Sequence, residues 1–174
     1  MNTRAWRLLG VAALTLLVAG GCGKKSHMAG NRYCNPANGF SIELPPEWER
    51  REGFMGSVVC ATRPQDGAAG GFRENVNVVV EKLPGSTGLK QYHEQGLKDL
   101  AGFSVSESGD ATPGGVPAKW VLYARRAGPL DLEVLVYFLV REGRGYVITC
   151  TATKDAMPQH RKRFEEIVGT FKAE

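Results

Sequence analysis

The sequence predicts an α+β domain, a mostly antiparallel sheet of about six or seven strands carrying two main helices. Three observations carry this expectation. Several short stretches alternate apolar and polar residues, the period-2 signature of strands. Two other stretches repeat apolar residues every three to four positions, the period of an amphipathic helix. The strand-like stretches also follow one another across turn residues, as in a meander, instead of alternating regularly with helices.

The elements follow in order. Phe40, Ile42 and Leu44 alternate with Ser41 and Glu43, and Pro45-Pro46 ends that strand because proline cannot donate to a central ladder. Residues 57–62 read as a second strand, followed by the glycine-rich loop Gly67-Ala68-Ala69-Gly70-Gly71. Val76, Val78 and Val80 define a third strand, with Asn75, Asn77 and Glu81 on its other face. Ser86 or Thr87 is placed to cap a helix whose stripe is Leu89, Tyr92, Gly96, Leu97 and Leu100. Alternating segments at 103–108 and 119–126 flank the turn-rich stretch 110–117. Residues 132–140 are apolar on both faces: Leu132, Val134, Val136, Phe138 and Val140 on one, Leu135, Tyr137 and Leu139 on the other. Such a strand is central and covered on both sides. Glu142-Gly143-Arg144-Gly145 turns it back into 146–153. A last helix starts near Asp155 as N-cap, tolerates Pro158 in its first turn, and docks through Phe164, Ile167, Val168 and Phe171.

The N-terminus carries a different signal. Residues 8–19 are an apolar run preceded by Arg4 and Arg7, too short for the ~20 residues of a spanning helix and arranged like a secretory signal. It closes on Val18-Ala19-Gly20-Gly21-Cys22, which resembles the lipobox of bacterial lipoproteins. The resemblance implies cleavage before Cys22, diacylglycerol on its sulfur and often a further chain, such as palmitate, on its amine. More than one chain is needed for stable anchoring. The expected organisation is a signal peptide over 1–21, a lipid-anchored flexible tether over 22–32, and a single domain over 33–174. Gly23 stands where an aspartate commonly signals inner-membrane retention. The expected location is therefore the periplasmic or extracellular face of the envelope, on the outer membrane if the cell has one.

Composition narrows the function classes. Removing the signal leaves about 150 residues, one domain's worth. Two of the positive charges in the net +4 are Arg4 and Arg7, so the remainder is near balance, which argues against a nucleic-acid partner. Besides Cys22, three cysteines remain: Cys34, Cys60 and Cys150. For an exported chain the arithmetic leaves two arrangements open: one bridge, Cys60 with Cys34 or Cys150, or three reduced thiols acting as small hydrophobes.

Two stretches resemble a known family. Gly39-Phe40-Ser41-Ile42-Glu43-Leu44-Pro45-Pro46-Glu47-Trp48 is similar to the opening of PsbP-like domains and related bacterial envelope lipoproteins. The close is also similar, with Tyr146-Val147-Ile148-Thr149 leading to a helix that ends in Thr170-Phe171. The resemblance implies a PsbP-like α/β/α sandwich. Its members include PsbP of photosystem II and a Ran-binding nuclear protein, which act by binding macromolecules and share no chemistry. No site residue transfers, because Phe40, Trp48 and Phe171 read as core.

No motif supplies a catalytic constellation. His27 lies in the tether, while His93 and His160 sit at the edges of helical stripes; a site would need them gathered with Cys60 or Cys150, or around a metal. No metal or cofactor is expected. Asn75 and Asn77 are poor strand formers and mark a possible polar ligand face beside the glycine loop. Arg161-Lys162-Arg163 is the densest basic run, with Glu165 and Glu166 spaced to pair with it. The expected function is a membrane-anchored, non-enzymatic module that binds another envelope protein or component. The alternative is a small-ligand or enzymatic site between sheet and helix.

Overall fold

The computed structural model describes residues 25–65 and 71–174. The lipobox and most of the glycine-rich loop lie outside them. The described elements are β1 (His27–Ala29), β2 (Arg32–Asn35), β3 (Phe40–Glu43), β4 (Glu49–Glu52), β5 (Val59–Thr62), β6 (Asn75–Lys82), α1 (Leu89–Asp99), β7 (Ser104–Ala111), β8 (Ala118–Ala127), β9 (Leu130–Arg141), β10 (Arg144–Thr153), α2 (Met157–Gly169) and β11 (Lys172–Ala173). They build a seven-stranded sheet in the order β4-β5-β6-β10-β9-β8-β7 and a four-stranded sheet in the order β1-β2-β3-β11. Every pairing is antiparallel.

The two faces of the large sheet are covered differently. Its inner face carries Val59, Val76, Leu135, Leu139, Tyr146 and Ile148, packed against Phe164, Ile167 and Val168 of α2 and against Tyr33, Phe40 and Ile42 of the small sheet. Phe171 lies beyond the end of α2 yet is fully buried, stacked on Phe40 at 5.8 Å between ring centroids and edge-on to Tyr146 at 5.2 Å. On the outer face, α1 sets Tyr92 against Val121, Tyr123, Val134, Val136 and Phe138. Strand β9 is thus buried on both sides, the arrangement that its doubly apolar sequence requires. The chain turns from β9 to β10 at Glu142 and Gly143, whose φ values are +48° and +71°, the left-handed pair of a tight hairpin turn.

Three expectations change. The small sheet was not foreseen as a separate layer: β3 shows its alternation, but its partners β1, β2 and β11 are two to four residues long and too short for a periodic signal. Residues 27–32, expected to be tether, form β1 and lead into β2, with Met28 opposite Tyr33 and His27 opposite Cys34. The helix caps also move by one residue. Gly88, not Ser86 or Thr87, is the N-cap of α1 and supplies no side-chain bond; Thr87 Oγ1 instead donates to the Pro84 carbonyl. Ala156, not Asp155, precedes α2.

Among the described residues no helix is long and apolar enough to cross a membrane.

Candidate functional site: a half-covered sheet face

Helix α1 covers only the β8–β9–β10 part of the outer face. The β4–β5–β6 part is left open. Register places its side chains in two parallel rows. One runs Arg51, Cys60, Asn77, Thr149 and Val136; the next runs Glu49, Thr62, Asn75, Thr151 and Val134. Alternation along each strand puts all of these on the same face, while Ala61, Val76 and Val78 point into the core.

The open part forms a groove of about 430 Å³, floored by Cys60, Thr62, Asn75 and Asn77 and rimmed by Glu49, Arg51, Arg73 and the turn residues Phe54 and Met55. Both oxygens of Glu49 are engaged. Arg51 donates to Oε1 from Nε at 3.0 Å and from Nη2 at 2.6 Å, and Arg73 Nη2 donates to Oε2 at 2.9 Å. The hydrogen bonds from Arg51 first, then Arg73, hold the Glu49 carboxyl below the usual carboxylate range. Arg73 Nε also donates to the Arg63 carbonyl at 2.7 Å, which fixes its guanidinium along the rim. Two guanidiniums facing one carboxylate leave the rim net positive.

Cys60 Sγ lies 3.7 Å from Thr62 Oγ1, and burial pushes its thiol up. A protonated thiol is a weak nucleophile, and no histidine lines the groove among the described residues. The donors and acceptors present are amides, hydroxyls and guanidiniums, a set suited to binding hydroxyl-bearing or anionic groups.

Next to the groove the same face becomes apolar. Val79 and Val147, one register step from Asn77 and Thr149, join Tyr92, Leu100, Tyr123, Val136 and Phe138 around a recess of about 240 Å³ at the edge of α1. Tyr92 Oη closes one side by donating to Glu81 Oε2 at 2.8 Å. Burial, with that carboxylate beside it, pushes the phenol up. The face therefore grades from apolar under α1 to polar and cationic at the β4 edge.

The other sequence-marked residues are not brought together. His93 is on α1, where its ring meets Phe138 edge-on at 5.4 Å. His160 is on α2, on the opposite side of the sheet, 3.5 Å from the buried carboxylate of Glu74, which also meets Arg63 at 3.3 Å. A site combining the two histidines is thus ruled out by the sheet between them. Among the described residues no group of three or more His, Cys, Asp and Glu side chains is placed to hold a metal.

Of the two cysteine arrangements left open, the structure has the second: Cys34, Cys60 and Cys150 are all free thiols. Cys60 is on the outer face. Cys150, opposite Val76, is on the inner face and two strands away. Cys34 belongs to the small sheet. Two strand spacings hold the Cα atoms of Cys60 and Cys150 ~9–10 Å apart, beyond the ~7 Å of a bridge, and their side chains point to opposite faces.

Of the two pairs that the four-residue spacing suggested, Arg161 with Glu165 forms, whereas Glu166 meets Arg163 and not the expected Lys162, and Arg161 gains a distant partner in Glu107. Arg161 donates to both Glu107 oxygens at 3.0 and 2.8 Å and to Glu165 at 3.0 Å, while Arg163 lies 3.5 Å from Glu166.

Sequence reasoning picked out Asn75 and Asn77 but missed Arg51, Arg73 and Glu49. The alternations Glu49-x-Arg51, Cys60-x-Thr62 and Asn75-x-Asn77 are all visible; the register that aligns them is not.

Solved structures share this architecture. Cyanobacterial PsbP (CyanoP) from Synechocystis sp. PCC 6803 superposes with a TM-score of 0.64 at 15% identity, over 91% of this chain and 99% of its own. The chain has a PsbP-like fold. LpqN of Mycobacterium tuberculosis, described as involved in cell envelope biogenesis, gives 0.61 at 18% identity over 76% of this chain and 82% of that one. A Pseudomonas aeruginosa protein of unknown function, described as a putative regulator, gives 0.56 at 17% over 75% and 88%. No family model matches the sequence, and no curated sequence is significantly similar. At such identities the likeness concerns the fold and carries no function with it.

Proposed function

We propose that this chain is an acylated envelope lipoprotein acting as a non-enzymatic binding module, and that the β4–β6 groove holds a polar envelope component presenting hydroxyl or anionic groups. One observation carries the reading. Half of an otherwise well-covered sheet face is left uncovered, and that half is floored by Asn75, Asn77 and Thr62 and rimmed by Arg51 and Arg73. An uncovered sheet face with no ligand to serve would need only solvated polar side chains, not a concave floor under two oriented guanidiniums. The lipobox-like segment ending at Cys22 supports anchoring at the envelope, and the description of LpqN agrees with that compartment. The protonated state of Cys60 and the separation of His93 from His160 support binding over catalysis.

A second reading has one observation in its favour. The apolar recess lies beside the groove on the same face, Thr149 of its lining pairing with Asn77 of the groove floor, so a small amphipathic molecule with a polar head could span both.

A photoreactive amino acid placed at Asn77 and, separately, at the exposed Ser106 of β7 tests the proposal in cells. The proposal expects a discrete adduct from position 77 that is lost with Arg73→Ala and absent from position 106. Identical adducts from both positions would sink it. An adduct with the mass of a small metabolite, rather than of a macromolecule or envelope component, would favour the second reading.

A further inference from the structure

The described chain starts at one particular corner of the molecule. Ser26 Oγ donates to Glu52 Oε2 at 2.7 Å, so the segment leading from Cys22 enters the domain beside the end of β4. Immediately beyond Glu52 the chain makes the turn from β4 to β5, which holds Phe54 and Met55 outward, 41% and 80% exposed. Gly53, Met55 and Gly56 all have positive φ, at +66°, +50° and +81°. Among the described residues Met55 is one of two non-glycine residues in the left-handed region, a conformation that costs energy and persists where the surroundings impose it. The turn thus presents its two large apolar side chains to solvent. Basic residues lie at this corner: Lys25, next to Ser26, and Arg50 and Arg51 on β4. Of the nearby acids, Glu49 is engaged by Arg51 and Arg73, and Glu52 by Ser26.

We propose that the β4–β5 turn is the membrane-contacting edge of the protein, with Phe54 and Met55 entering the anionic surface of the bilayer that holds the Cys22 acyl chains. The inference rests on the acylation of Cys22. Cys22 stands four positions before Ser26, so the anchor is within ~14 Å of Ser26 and of the corner it marks. The other exposed apolar pair, Phe103 and Val105, belongs to the β7 end, six strand spacings or ~29 Å across the sheet. A tether that short holds the β4 edge near the headgroups and leaves the β7 edge facing away. Amphipathic surfaces that lie on membranes combine apolar side chains with Lys and Arg in this way. Phe54, Met55 and Arg51 also rim the groove, so its mouth would open at headgroup level, within reach of components presented there.

The test uses the full mature chain, acylated and reconstituted in vesicles of phosphatidylethanolamine and phosphatidylglycerol. Met55→Cys and Val105→Cys are compared in a Cys34→Ser background, since Cys60 and Cys150 are buried. The rate of alkylation by a bulky maleimide is measured for each, with the corresponding Cys22→Ser soluble protein as reference, and intact mass confirms the acyl chains. The expected result is alkylation at position 55 about tenfold or more slower on vesicles than in solution, with position 105 unchanged. Slowing should weaken when phosphatidylcholine replaces phosphatidylglycerol. Equal rates at position 55 in the acylated and soluble proteins would overturn the orientation while leaving the anchor intact. Equal slowing at both positions would overturn it too. Absence of acyl mass would remove the anchor itself, and the orientation with it.

Discussion

Gly96→Ala should destabilise this protein, against the usual effect of that substitution. In a helix interior, replacing glycine by alanine gains about 0.8–1 kcal/mol of helix propensity. At Gly96, in the middle of α1, a Cβ would lie 2.3 Å from Phe138 Cε1 and 2.8 Å from Cζ. Both distances are far inside van der Waals contact. The ring has little room to yield: Phe138 is 5% exposed and held edge-on by Tyr92 at 6.1 Å and by His93 at 5.4 Å. The conflict must therefore be relieved by lifting α1 from β9, and overpacking of this kind costs about 1–3 kcal/mol. Subtracting the propensity gain leaves a net loss of about 1 kcal/mol. For a domain of this size that is a fall in Tm of about 2–4 °C. Gly169, at the end of α2, is the matched control, since a Cβ there meets nothing within 4 Å and Gly169→Ala should be neutral or stabilising. Thermal unfolding followed by circular dichroism measures both. If Gly96→Ala raised Tm as much as or more than Gly169→Ala, the close packing of α1 on Phe138 would be wrong, and with it the boundary between the covered and open halves of the outer face.

Two further outcomes are expected. Alkylation of the native, non-reduced protein with mass readout should find Cys34, Cys60 and Cys150 all reduced. Cys34, part-exposed, should react first, Cys60 slowly, and Cys150 only on unfolding; a mass showing a bridge would refute the free-thiol assignment. Stability should also fall as pH drops below about 6.5, the ordinary histidine value, through His93. Burial, and then Lys119, lowers the pKa of that imidazole, and its Nε2 is buried without a hydrogen-bond partner among the described residues. The unfolded chain therefore binds the proton more readily than the folded one, so stability rises with pH across that window and is lost on acidification. His93→Gln should flatten the denaturation midpoint between pH 6.5 and the lower folded-state pKa; an unchanged slope would show that His93 is not its source.

Much of the architecture is legible in the chain because local rules and the global fold agree. Leu132 to Val140 alternates between two apolar faces, and a strand of that kind has one place to go, the centre of a sheet covered on both sides. The stripes through Tyr92 and Phe164 each define one face of a helix. Val76, Val78 and Val80 separate a core face from one bearing Asn75 and Asn77. Each follows from a period of 2 or 3.6 residues, which a sequence displays directly. Of the small sheet only β3 could be read, through Phe40 and Ile42; the two to four residues of β1, β2 and β11 do not complete enough periods.

What only the tertiary structure decided is everything that depends on register and on which surface meets which. Asn77 was visible as an outward residue, but its neighbours Cys60 and Arg51 come from segments about 17 and 26 positions earlier, aligned by ladder hydrogen bonds that any sequence alternation would also permit one step along. The same register separates Cys60 from Cys150 by a full sheet thickness, where counting thiols left a bridge open. Helix α1 packs closely on β9, with Gly96 against Phe138, and leaves the polar half of the face open. Periodicity is a property of each segment alone; register and coverage are properties of pairs of segments distant in the chain, and only the folded packing specifies them.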